Sequence, residues 1–212
     1  MDSELPGNGE HAIADALREP VWAWALLGQA AQRPGWDARA AVEGTLAHGQ
    51  KLAREIRERT GGATVAEVAQ ALALSIVRSA EDPQVGWRHR RSEYDPARRQ
   101  VTLYARAVAP LAQLAARFGL GDVFTPQAIE DLCLAHEIYH HLEVTREQMS
   151  DRYRRVWIRV GPLCLTVREP ALDEIAAHRF AQELCGLALS PAILDLLTIR
   201  AMPEAAQHLL AE

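Results

Sequence analysis

The stretch TPQAIEDLCLAHEIYHHLE, residues 125–143, restricts the fold more than any other part of the chain. Thr125 is a good helix N-cap and Pro126 suits the first helical position, so a helix starts here and runs to about Glu143. Leu132, Cys133, Ala135, Ile138 and Leu142 put apolar side chains on most of its faces. Such a helix is buried at the centre of a domain. It carries His136, Glu137 and His140 inward with it, and polar groups taken out of water need partners.

Residues four apart on a helix share a face, so His136 and His140 can aim one imidazole nitrogen each at a single point. This spacing forms two ligands of a zinc site. Glu137, one residue round the helix, is placed to reach a water on the metal rather than the metal itself. A catalytic zinc takes a third protein ligand and keeps one position open. The candidates lie in LDEIAAHRFAQEL, where Glu174 and His178 are again four residues apart. Either can complete the site, and the other can then orient a ligating histidine. His141 points about 100° away from His140, which reads as a helix-face histidine bonded to a neighbour. Its alternative role is a hydrogen-bond donor to a transition state. Tyr94, Tyr104 and Tyr139 are further candidates for that donor, although a tyrosine near a core usually packs.

LAHEIYHHLE followed by EIAAHRFAQEL resembles the ImmA/IrrE family of zinc metallopeptidases, with its H-E-x-x-H and downstream E-x-x-A-x-x-F-A. The resemblance covers about residues 48–190 and is specific at these two helices. It implies an α+β, zincin-like fold, mainly helical with a small sheet packed beside the H-E-x-x-H helix. It also implies zinc (Zn2+) held by His136, His140 and Glu174, Glu137 as catalytic base, and limited, regulatory cleavage of a protein or peptide substrate. Ala176 and His178 replace the family's usual Glu or Gln and Asn or Asp, and LCGLALSP replaces its Leu-Met-Pro stretch. His178 therefore stays open as a rival ligand. The competing reading is a non-catalytic metal-binding module that retains the same fold.

Residues 1–46 read as an N-terminal tail and helical extension, and 47–212 as the metallopeptidase domain. A helix is expected over Ala12–Gln32, carrying Trp22 and Trp24, which either pack onto the domain or present an aromatic surface to a protein partner. A second helix is expected over Ala38–Arg59, and Thr64 with Glu67 forms a capping box for a third. LSIVRS, VGWRHRRSEYD and RQVTLYA read as strands, the last two joined by the turn in YDPARR. RQVTLYA is expected at a sheet edge, where it could align an extended peptide. Helical character is expected again near Val108. RRVWIRVGPLCLTV has strand character, and helices are expected after Pro170, Ser190 and Pro203.

A net charge of −5 and the absence of a recognition motif argue against a general nucleic-acid binder. The one strongly basic stretch, WRHRRSEYDPARR, reads as a solvated hairpin. No early apolar run is long enough to cross a bilayer. Cys133, Cys164 and Cys185 form no short-spaced pair, so buried thiols and a cytoplasmic location are expected.

Overall fold

The structure, a computed structural model, describes residues 21–33, 36–85, 88–146, 155–160 and 163–201. Helix α1 (Val21–Leu27) leads through a 3-10 turn (Gly28–Gln32) into α2 (Ala38–Thr60), and α3 (Val65–Ala71) follows. Asp37 starts α2 by accepting the Ala40 N–H at 2.9 Å, and Gly61 ends it with φ of +63°, a conformation that favours glycine. The expected capping box is formed at α3. Thr64 Oγ1 accepts the Glu67 N–H at 3.3 Å, and Glu67 Oε2 accepts the Thr64 N–H at 2.8 Å.

Strand β1 (Ser75–Ser79) is followed by the two-residue strands β2 (Gln84–Val85) and β3 (Arg88–His89), which form a two-stranded sheet with each other. Next come β4 (Ser92–Asp95) and β5 (Gln100–Tyr104). The three-stranded sheet has the order β1-β5-β4, with β5 parallel to β1 and antiparallel to β4. The hairpin turn is tied by Asp95 Oδ1, which accepts the N–H groups of Ala97 and Arg98 at 2.9 and 3.2 Å. One expectation is corrected here: RQVTLYA, as β5, is the central strand and β4 lies at an edge. Pairing on both sides buries Val101 and Leu103 completely or nearly so, and it removes the backbone groups an added peptide strand would need.

Helix α4 (Ala105–Arg117) starts directly after β5, three residues before the expected position. Then come α5 (Pro126–Arg146), the hairpin of β6 (Arg155–Val160) and β7 (Leu163–Arg168), α6 (Pro170–Leu184) and α7 (Ala192–Ala201). Thr125 caps α5 as expected, its hydroxyl accepting the Ala128 N–H at 3.1 Å. Ile129, Ala135 and Ile138 are fully enclosed, and α5 packs against α3, α4, α6, β4 and β5. The class is α+β, mostly helical, with the small sheet beside the histidine-bearing helix.

Helix α2 runs through residue 46 without a break and packs along α6. Trp22, 5% exposed, joins Val42, Leu172 and Ile175 in a second apolar cluster, whereas Trp24 is 38% exposed. The expected helical residues 12–20 and the short helix after Pro203 lie outside the described residues.

The α2–α6 contact depends on Gly49. A Cβ at that position would stand 2.5 Å from the Ala176 carbonyl oxygen and 3.2 Å from the Phe180 nitrogen, both backbone atoms that cannot rotate away. Gly49→Ala should therefore push the helices apart. Overpacking at about 3 kcal/mol, less a helix-propensity gain of about 1, leaves a net loss of about 2 kcal/mol. Thermal unfolding followed by circular dichroism should show the midpoint lowered by roughly 4–8 °C.

Candidate metal centre

Helices α5 and α6 bring the three groups together. Pro126 and Thr125 set the start of α5, and its apolar faces orient it so that His136 and His140 look toward α6. Helix α6 is started by Pro170 and by Glu169, whose carboxylate accepts the Ala171 N–H at 3.4 Å. It is ended by Gly186 at φ of +67°.

His136 Nε2 and His140 Nε2 lie 3.1 Å apart. Glu174 Oε2 is 3.2 Å from His136 Nε2, and Oε1 is 3.6 Å from His140 Nε2. One ligand atom from each of the three residues lies within 4.8 Å of the other two, so the group can hold a metal ion. Burial alone would lower the pKa of His136, but the hydrogen bond and charge of Glu174 outweigh it and hold the imidazole above its ordinary value. Burial, reinforced by the charge of His136, lowers His140. Glu174 is pulled up by burial, yet His136, with His140 and His178 beyond it, holds its carboxyl at about 2.

Glu137 stands beside this group rather than in it. It is 7% exposed, and its Oε1 accepts a hydrogen bond from the Ser92 hydroxyl at 2.7 Å. Ser92 is the first residue of β4, so the edge of the sheet fixes the carboxylate of the helix. His178 lines the same cavity, with its ring centroid 5.0 Å from that of His136 and Trp22 packed edge-on against it. Its Nδ1 is buried with no hydrogen-bond partner among the described residues. Burial, with His136 adding to it, pushes its pKa down to about 4, so the ring is neutral near pH 7.

His141 is 2% exposed, shares a 2.7 Å hydrogen bond between its Nδ1 and the Tyr94 hydroxyl, and does not line the cavity. Its packing reading is the one this geometry fits. The Tyr139 hydroxyl donates to Glu143 at 3.3 Å, and Tyr104 is pushed up to about 12 by burial and by its hydrogen bond to Glu93. None of the three tyrosines lines the cavity.

The cavity has a volume of about 810 Å³ and is walled by α4, α5, α6 and α7 together with the residues leading into β4. Arg91, directly before Ser92, forms an ion pair with Asp195 of α7 beside the histidines. Ser92, Arg91 and Asp195 were not singled out by sequence reasoning. Their partners lie 45 and 104 residues away, and no local spacing marks them. Part of the basic stretch read as a solvated hairpin thus belongs to the cavity wall. No protein-family model matches the chain, and no significantly similar curated protein or solved structure was found.

Proposed function

We propose that the chain is a zinc-dependent metallopeptidase with a zincin-like fold, of the kind the ImmA/IrrE resemblance implies. One observation carries this reading: two nitrogens and a carboxylate converge from α5 and α6 while Ser92 aims the adjacent Glu137 into the same cavity. The spacing suits the metal. Tetrahedral zinc with bonds of about 2.1 Å needs donor atoms about 3.4 Å apart, against 3.1 and 3.2 Å between His136 Nε2 and its two neighbours and 3.6 Å between His140 Nε2 and the other Glu174 oxygen.

When bound, zinc supplies Lewis acidity toward a carbonyl oxygen and lowers the pKa of water. Glu137 takes the proton from the attacking water and delivers it to the leaving amine. Ser92 occupies Oε1, which leaves Oε2 for that proton. His178, neutral and lining the cavity, is placed to donate a hydrogen bond to the carbonyl oxygen as it gains charge. A cavity of about 810 Å³ accommodates a short length of peptide. A non-catalytic module would have no use for a fixed carboxylate beside its metal.

The substrate is a protein or peptide, and the cleavage is limited and regulatory. Among the described residues no helix is long and apolar enough to cross a membrane. The buried Cys133, its thiol pushed up to about 12 by burial, fits a reducing, cytoplasmic setting. The exposed Trp24 leaves room for a protein partner on α1.

The function is tested by incubating zinc-loaded protein with an unfolded protein substrate and mapping fragments by mass spectrometry, with a zinc chelator as control. A chain carrying one zinc and cutting nothing would overturn the reading. Proton competition gives a second expectation. Zinc requires neutral imidazoles, and Glu174 holds His136 above the ordinary 6.5, so protons still compete at and above that pH. Affinity should rise with pH through neutrality and fall as pH drops below 6.5. Competition with a coloured chelator between pH 5 and 8 reads this, and a flat profile would contradict it.

A further inference from the structure

Helix α4 gives the cavity a charged wall. Arg106, Pro110, Gln113, Leu114 and Arg117 all line it. Arg106, Gln113 and Arg117 follow one another at spacings of seven and four residues, so they share one face of the helix. The two arginines are about 16 Å apart along the axis, the length of about five residues of extended peptide.

Both are exposed, and among the described residues neither has a carboxylate partner. The other two arginines of the cavity are paired, Arg90 with Glu93 at 2.5 Å and Arg91 with Asp195. Of the lining acids, Glu137 and Glu174 belong to the metal centre, Asp195 is paired with Arg91, and Asp82 is engaged in an interaction of its own. Local structure does not explain Arg106. It sits in the first turn of α4, where the helix dipole opposes a cation.

Leu111, Leu132 and Leu194 give the wall aliphatic patches, and no Phe, Tyr or Trp is among the described lining residues. A single-stranded nucleic acid would call for aromatic stacking platforms. Alternating apolar and acidic side chains suit this wall better.

We propose that Arg106 and Arg117 select protein or peptide segments that carry acidic side chains flanking the bond presented to Glu137. This selection rests on the metallopeptidase reading, and its ligand class can be measured without turnover. Zinc-loaded Glu137→Gln protein is titrated into two fluorescein-labelled dodecapeptides, identical except that four positions are Glu in one and Lys in the other. Fluorescence anisotropy should show the Glu peptide binding roughly tenfold more tightly, a preference that weakens with salt.

The double variant Arg106→Glu/Arg117→Glu should remove that preference while keeping zinc. Lys51→Glu/Arg59→Glu, the same charge change on exposed positions of α2, should leave it intact. Equal binding of both peptides, or a preference that survives the α4 substitutions, overturns the proposal. So does a single-stranded DNA 12-mer that binds more tightly than the Glu peptide and is lost in the same α4 variant. Cleavage by the wild type without acidic preference sinks this inference alone. Acidic preference without any cleavage sinks the peptidase reading and leaves the ligand class standing.

Discussion

Replacing Glu174 with alanine is expected to strip zinc from the protein. His136 and His140 would remain as two nitrogens on one helix, without the α6 carboxylate that lies within reach of both. Removing a group that merely orients a ligand typically costs 10- to 100-fold in metal affinity, so losing a ligand should cost more than about 100-fold. The carboxylate is half exposed, so the variant should remain folded. Elemental analysis of wild type, Glu174→Ala and His178→Ala separates the possibilities. About one zinc in the wild type and in His178→Ala, with none in Glu174→Ala, assigns the third ligand to Glu174. Zinc kept by Glu174→Ala and lost by His178→Ala would give that place to the imidazole whose buried Nδ1 lacks a partner among the described residues. A wild type that stays metal-free with zinc supplied would favour the non-catalytic module.

The parts of this arrangement that could be read from the sequence are those governed by short spacings. Thr125 and Pro126 announce α5, apolar residues around it announce its burial, and four-residue spacings pair His136 with His140 and Glu174 with His178. The choice between Glu174 and His178 depends on how α6 rotates against α5. That rotation reflects packing between elements far apart in sequence, among them the close approach of α6 to Gly49 of α2, 125 residues before Glu174. The central place of β5 depends on parallel pairing with β1 across three intervening strands, which alternation within β5 cannot reveal. His141 shows the same limit: the helix turns it away from His140, but Tyr94 on β4 decides what it bonds to. Ser92 is the clearest omission. Nothing in SEYD distinguishes it until β4 reaches α5.

Glu137→Gln should keep zinc and lower hydrolysis of any substrate by about 10³- to 10⁴-fold, the upper range for loss of a general acid–base group. Gln has nearly the same shape, and its amide oxygen can still accept the Ser92 hydroxyl, so the site keeps its geometry. What it loses is the ability to take up and release a proton. Ser92→Ala makes the complementary change, since the carboxylate stays ionisable but is no longer aimed. It should lower kcat by about tenfold, far less than Glu137→Gln, because a loosely placed base still reaches its proton part of the time. The two variants therefore separate proton transfer from positioning, provided zinc content is measured on the same samples. Turnover retained by zinc-replete Glu137→Gln would take Glu137 out of the role of base. If Ser92→Ala proved as inactive as Glu137→Gln, Ser92 would have to act on the substrate itself rather than through Glu137.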